Sequence, residues 1–354
     1  MLDEALEFIG GFGPDLRGGM TSHAPMVAEA LCALGRPDAL RPWLERHRAE
    51  FTPRPPRRER IEPAHWRSAL AKEDRFADWS AFFAEELANA SFREVLDAWV
   101  ARLAPGICAN ATHGVIRVGH AARALGERET PARLRELADA LASWASTYQE
   151  LPTLRASASR ALPPRAALPP REALARVELQ PRGDRVFSGT IVSSLAGLGG
   201  FAAFAPVIGL LDTSREPADL LAELTEVFAH VLLENAHDTL TAIVLVHGVT
   251  SVAALGNLLP HIGAATARAA MPFAWQASCS LYVTFGSRRP SEATIESALE
   301  PARDDAEALI ERAIAHGDEH AIKLAEACFA QHRRRPSPVY PAALRRALTL
   351  LQPG

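Results

Sequence analysis

The residues of this chain best placed to do chemistry are one of its lysines and a scattered set of histidines. Of 38 basic residues, only Lys72 and Lys323 are lysine; the rest are arginine. Arginine stays protonated and offers a rigid fork of donors. A buried primary amine can instead lose its proton, form a Schiff base or take up carbon dioxide as a carbamate, an anionic oxygen ligand for a metal. Lys72 stands between Ala71 and Glu73 in a polar stretch and reads as a solvated surface residue. Lys323 stands among Ala321, Ile322, Leu324 and Ala325, three residues after His320, so the two share a helix face. His113 and His120 bracket Arg117 in Thr112-His-Gly-Val-Ile-Arg-Val-Gly-His120. A seven-residue spacing returns to nearly the same helix face two turns on. The pair reads either as metal ligands or catalytic groups, or as two separately satisfied core imidazoles. His247 is surrounded by aliphatics in Ile243–Ser251, and His23 precedes the apolar stretch Met26–Leu34. A lone buried imidazole is more often hydrogen-bonded to a carbonyl or carboxylate than bound to a metal. His47, His65, His230, His261, His316 and His332 take that reading, and His237, in Asn235-Ala-His-Asp238, is intermediate.

Several reaction classes are disfavoured by what the chain lacks. Gly197-Leu-Gly199-Gly200 does not have the dinucleotide-binding spacing, and neither lysine follows a phosphate-binding loop. G-x-S-x-G, H-E-x-x-H and the zinc-deaminase pattern are absent. With 42 acidic residues the formal net charge is −4, which argues against a nucleic-acid partner. Cys32, Cys108, Cys279 and Cys328 are widely spaced, and the Met-Leu-Asp-Glu-Ala start lacks the basic and apolar regions of a signal peptide, so a cytoplasmic location is expected. Val186–Leu211 and Thr239–Ala267 carry no formal charge; polar and helix-breaking residues recur through both, and they read as buried core rather than membrane spans.

The elements that must position these residues read as nearly all helix, because Ala, Leu, Arg and Glu dominate. An all-α, multi-helix fold around a charge-poor helical core is therefore expected. Ser91-Phe-Arg-Glu94 is a capping box, and Thr130-Pro131 opens a helix ending near Tyr148. Glu216-Pro217 opens another. A helix from Asp304 to His316 stops at Gly317, and Asp318 caps the next, which runs to about His332. Ser278–Phe285 is the one stretch with strand-like alternation. Phe51–Pro63 reads as a proline-rich surface loop. The Pro-Pro pairs of Leu162–Arg171 mark a candidate boundary within a single domain of residues 1–354, between 1–161 and 172–354.

Four segments resemble the questin oxidase-like family, in its order and over most of the chain. They are Ser-His-Ala-Pro-Met…Ala-Leu-Gly from Ser22 to Gly35, Thr-His-Gly-Val-Ile-Arg from Thr112, Val-His-Gly-Val-Thr from Val246, and Asp-Glu-His-Ala-Ile-Lys-Leu-Ala-Glu-Ala from Asp318. The resemblance implies an oxygenase that opens rings of aromatic polyketides such as anthraquinones, by Baeyer–Villiger-type oxidation with NADPH and oxygen or by iron-dependent cleavage. It implies a metal held by four histidines and a carboxylated lysine, which fall here on His23, His113, His247, His320 and Lys323. Imidazoles suit iron, and an oxygen donor completes such a set. Fungal relatives tend to have histidine at the position of Arg117 and an aromatic at that of His120. Both residues are taken as catalytic candidates, with Arg117 facing either an anionic substrate oxygen or a neighbouring carboxylate. The expected partners are an aromatic small molecule and O2. No NADPH site is legible, and nothing indicates an oligomeric state. A metal-dependent hydrolase using a carboxylated lysine and a non-catalytic binder of hydrophobic ligands are the competing readings.

Overall fold

The fold is described from a computed structural model, for residues 1–153, 167–288 and 306–354. Its helices are α1 (Leu2–Ile9), α2 (Ala24–Ala33), α3 (Leu40–His47), α4 (Phe76–Asn89), α5 (Phe92–Leu103), α6 (His113–Glu127), α7 (Pro131–Ser146) and α8 (Pro170–Ala175). They continue with α9 (Ile191–Ala196), α10 (Pro217–Asn235), α11 (Thr239–Leu258), α12 (Ala264–Phe285), α13 (Ala306–His316), α14 (Glu319–Arg334) and α15 (Val339–Leu350). The all-α class is as expected. The described residues add one short antiparallel pair, β1 (Phe12–Leu16) with β2 (Phe51–Pro53).

Helices begin where side chains can take up the first free amides. Ser91 and Glu94 form the capping box of α5, Thr130 caps α7 and Asp318 caps α14 through the amides of His320 and Ala321. Two expectations need correction. Ser278–Phe285 is the last part of α12, because every residue from Ser278 to Thr284 is buried and the surrounding helices supply on all sides the packing a strand would need on two. Phe51–Pro63 is not simply a surface loop. Phe51–Pro53 pairs with β1, and Arg54 reaches inward to Asp139 at 2.6 Å. The candidate boundary at Leu162–Arg171 lies outside the described residues as far as 166; its end enters α8. One hydrophobic cluster contains helices from both sides of it.

The functional geometry rests on a closed ring of four helices. α2 packs on α6, α6 on α11, α11 on α14, and α14 on α2. Helix α11 is the apolar wall of this ring. Residues Val244–Gly256 are all buried, and each valine and leucine side chain there contributes roughly 1.5–3 kcal/mol of transfer free energy. That is enough to carry a buried imidazole at His247. The Thr239–His261 stretch is long and apolar enough to cross a membrane, and 83% of its most apolar window is covered by the rest of the fold. Gly119 lets α6 and α11 close together: a Cβ there would lie 2.4 Å from the Ala254 carbonyl oxygen.

Candidate metal centre

Each helix of the ring contributes one imidazole. His23 is the N-cap of α2, His113 the first residue of α6, His247 sits midway along α11, and His320 is the second residue of α14. Lys323 follows one turn after His320. His23 Nε2 lies 2.6 Å from His113 Nε2, and His247 Nε2 lies 3.0 Å from the same atom. The His320 ring stands edge-on to His23 and His247, with centroids 4.8 and 5.2 Å away. All five side chains are buried.

Hydrogen bonds on the outer ring nitrogens decide what faces the centre. His113 Nδ1 donates to the Asn110 carbonyl at 2.5 Å, and His247 Nδ1 to the Ile243 carbonyl at 2.7 Å. A carbonyl only accepts, so both rings carry their proton on Nδ1 and present an Nε2 lone pair inward. His23 Nδ1 faces Glu319 Oε1 at 3.3 Å without a formed hydrogen bond. The lone pairs of His113 and His247 therefore meet 3.0 Å apart with no proton between them, and His23 Nε2 stands 2.6 Å from the first. That arrangement repels itself unless a cation sits among them. Nitrogens about 2.1 Å from one ion lie roughly 3 Å or slightly more apart, which is close to the His113–His247 spacing and wider than the 2.6 Å between His23 and His113. The donor set fits a metal.

Electrostatics agree. Burial, followed by the charges of Lys323, His320 and His247, holds His23 well below the usual histidine range. Burial and then His23 and Lys323 do the same to His113; burial and then His113, His320 and Lys323 do so to His247. All three rings are neutral at pH 7, as ligation requires. Burial pulls Lys323 down to about 8, with Glu319 and Asp318 pulling the other way. Its Nζ has no hydrogen-bond partner among the described residues. A buried, unpartnered amine is costly, and this one costs the fold stability for no structural return.

The backbone before His113 is unusual. Asn110, Ala111 and Thr112 all have positive φ, at 48°, 53° and 73°. None is glycine, and each such residue costs about 1 kcal/mol or more. The turn swings the Asn110 carbonyl onto His113 Nδ1, and Asn110 Nδ2 donates to Thr21 Oγ1 at 2.5 Å, tying it to the segment that carries His23.

Arg117 and His120 lie in other networks. Arg117 makes a bidentate pair with Glu136, at 2.6 and 2.8 Å, both residues buried. Burial pushes the Glu136 carboxyl up, and the paired guanidinium pulls it back only in part. His120 Nδ1 sits 2.6 Å from Glu29 Oε2, while Arg123 bridges Glu29 to Glu326. Burial pushes Glu29 up, but Arg123 and His120 more than offset this and bring it down to about 2. These charges join α2, α6 and α14 beneath the imidazoles. Sequence spacing did not reveal Glu29, Glu136, Glu326 or Glu319 as partners. Elsewhere His47 and His237 meet backbone carbonyls, His332 meets Ser337, and His230 faces Arg171.

Fold and site together define an all-α protein that gathers four imidazoles and one lysine where four helices meet. The questin oxidase-like family matches residues 20–328, a span that includes all five, and the chain belongs to that family. Membership implies an oxidoreductase, an oxidase or oxygenase acting on an aromatic polyketide. No curated protein matches the chain.

Proposed function

We propose that the chain is a metal-dependent oxygenase for a quinone-like aromatic polyketide, with iron held by His23, His113, His247, His320 and Lys323. The observation that carries this reading is the convergence of three Nε2 atoms, two of them bare lone pairs, beside a buried amine with no partner among the described residues. When bound, iron supplies the redox chemistry that lets molecular oxygen react with a closed-shell aromatic. The protein's part is to keep the imidazoles neutral and aimed. α2, α6 and α14 all begin at the cluster, and their positive ends disfavour imidazolium and favour an anion.

Lys323 can supply that anion. With its pKa near 8, roughly a tenth of the amine is unprotonated at pH 7. Attack on carbon dioxide forms an N–C bond and releases a proton, replacing a cation by a carbamate. Arg117 and His120 act in this reading as positioning residues that hold α6 against α7 and α2. NADPH enters only as a source of electrons from outside the cluster.

The test is reconstitution of chelator-stripped protein with ferrous iron under nitrogen, followed by a hydroxyanthraquinone and isotopically labelled oxygen. Product carrying the label, formed only with both iron and oxygen, supports the proposal. Turnover that persists without oxygen marks a hydrolase, and turnover unaffected by chelation removes the metal.

A further inference from the structure

The outer nitrogens of the cluster are not all held in the same way. His113 and His247 are fixed by backbone carbonyls that belong to the turn before α6 and to α11 itself. His320 Nδ1 lies 3.5 Å from Asp318 Oδ1. His23 Nδ1 is buried and faces a side chain instead, Glu319 Oε1 at 3.3 Å, off the line of a formed hydrogen bond. Asp318 is not free to replace it, because its Oδ1 already caps α14 by accepting the amides of His320 and Ala321 at 2.8 and 3.0 Å. Glu319 is 27% exposed, whereas His23 is 7% exposed, so the carboxylate is the more water-facing member of the pair. It is joined to His320 by the chain and to His23 through space, linking α14 to α2.

We propose that Glu319 is a positioning residue of this centre: its carboxylate takes the His23 Nδ1 proton in a hydrogen bond and so fixes the ring with Nε2 turned inward. The inference rests on the metal-centre reading above. Such an outer carboxylate sets the tautomer, holds the ring orientation and raises the basicity of the inner nitrogen. Without it, the acceptor left to His23 is His113 Nε2 at 2.6 Å, which draws the His23 proton onto the inward-facing Nε2.

Chelator-stripped protein titrated with Co2+ against a competing chelator tests this, with the visible absorption of the bound ion as the second readout. Wild-type protein is expected to take up Co2+ with the spectrum of a histidine-rich site. E319A is expected to bind 10–100-fold more weakly and with a displaced band, at unchanged far-ultraviolet circular dichroism. E319Q, whose amide oxygen still accepts, is expected to recover the wild-type band and part of the affinity. An E319A protein with wild-type affinity and an unmoved band overturns the role of Glu319 alone. Wild-type protein that takes up no Co2+ overturns the centre, and this inference with it.

Discussion

Replacing Lys323 by methionine should stabilise the metal-free protein while abolishing its metal uptake. The amine is buried, has no hydrogen-bond partner among the described residues, and lies among Ala321, Ile322, Leu324 and Ala325. Its pKa falls from the ordinary 10.5 to about 8. At 1.36 kcal/mol per pH unit, that drop is a penalty of about 3 kcal/mol for holding the charge inside the fold. The sign follows from proton counting. Below pH 8 both folded and unfolded chains carry the proton, and the full penalty applies. Between 8 and 10.5 the unfolded chain binds more protons than the folded one, so stability rises with pH and the penalty fades. Lys323→Met is thus expected to gain about 3 kcal/mol at pH 7 and almost nothing from this source at pH 10.5. Chemical denaturation at both pH values, in chelator and carbon dioxide-free buffer, measures it. A variant less stable than wild type at pH 7 would refute the reasoning, because the amine would then have a structural partner. A gain of the same size at both pH values would refute the electrostatic origin.

Other perturbations separate the remaining parts of the structure. Below pH 6.5 the unfolded chain protonates at His23, His113 and His247 while the folded chain does not. Stability of the metal-free protein should therefore fall with acidity, by at most about 4 kcal/mol per pH unit for three groups, and denaturation at pH 7.5, 6.5 and 5.5 would show it; a flat profile would mean the rings are solvated. Arg117→Ala strands the buried Glu136 and should cost about 3–5 kcal/mol, with most of that recovered in the R117M/E136M double variant. A loss under about 1 kcal/mol would instead leave Arg117 free to meet a substrate. Ala111→Gly should gain about 0.5–1 kcal/mol in thermal or chemical unfolding, since glycine accepts a φ of 53° without strain. A loss there would show that the turn is held by contacts to the Ala111 methyl.

The sequence made some of this legible and hid the rest for identifiable reasons. Caps at Ser91, Thr130 and Asp318 are local chemistry, so they read correctly from neighbours three residues apart. Lys323 stood out by type, in a chain that otherwise uses arginine. The pairing of His113 with His120 was suggested by helical phase, but seven residues also separate them by about 10 Å along the axis. They consequently meet different layers, His113 the other imidazoles and His120 the carboxylate of Glu29. Glu319 was hidden because an acidic residue in the first turn of a helix already has an explanation in the helix dipole. Its partner lies on α2, and nothing local reports that α2 packs on α14. The turn at Asn110–Thr112 was equally silent, since positive φ is normally announced by glycine and none is present. Ser278–Phe285 misled because β-branched and aromatic residues record burial as readily as strand geometry.

The central claim is that four imidazoles and Lys323 hold one metal ion, and X-ray absorption at the iron edge of the reconstituted protein tests it most directly. The expected result is one iron per chain, with a first shell of nitrogen and oxygen and the multiple-scattering signature of several imidazoles. That signature should weaken in His247→Ala and the iron should be lost in Lys323→Met. Wild-type protein that retains no stoichiometric metal, or an iron shell without imidazole scattering, would contradict it.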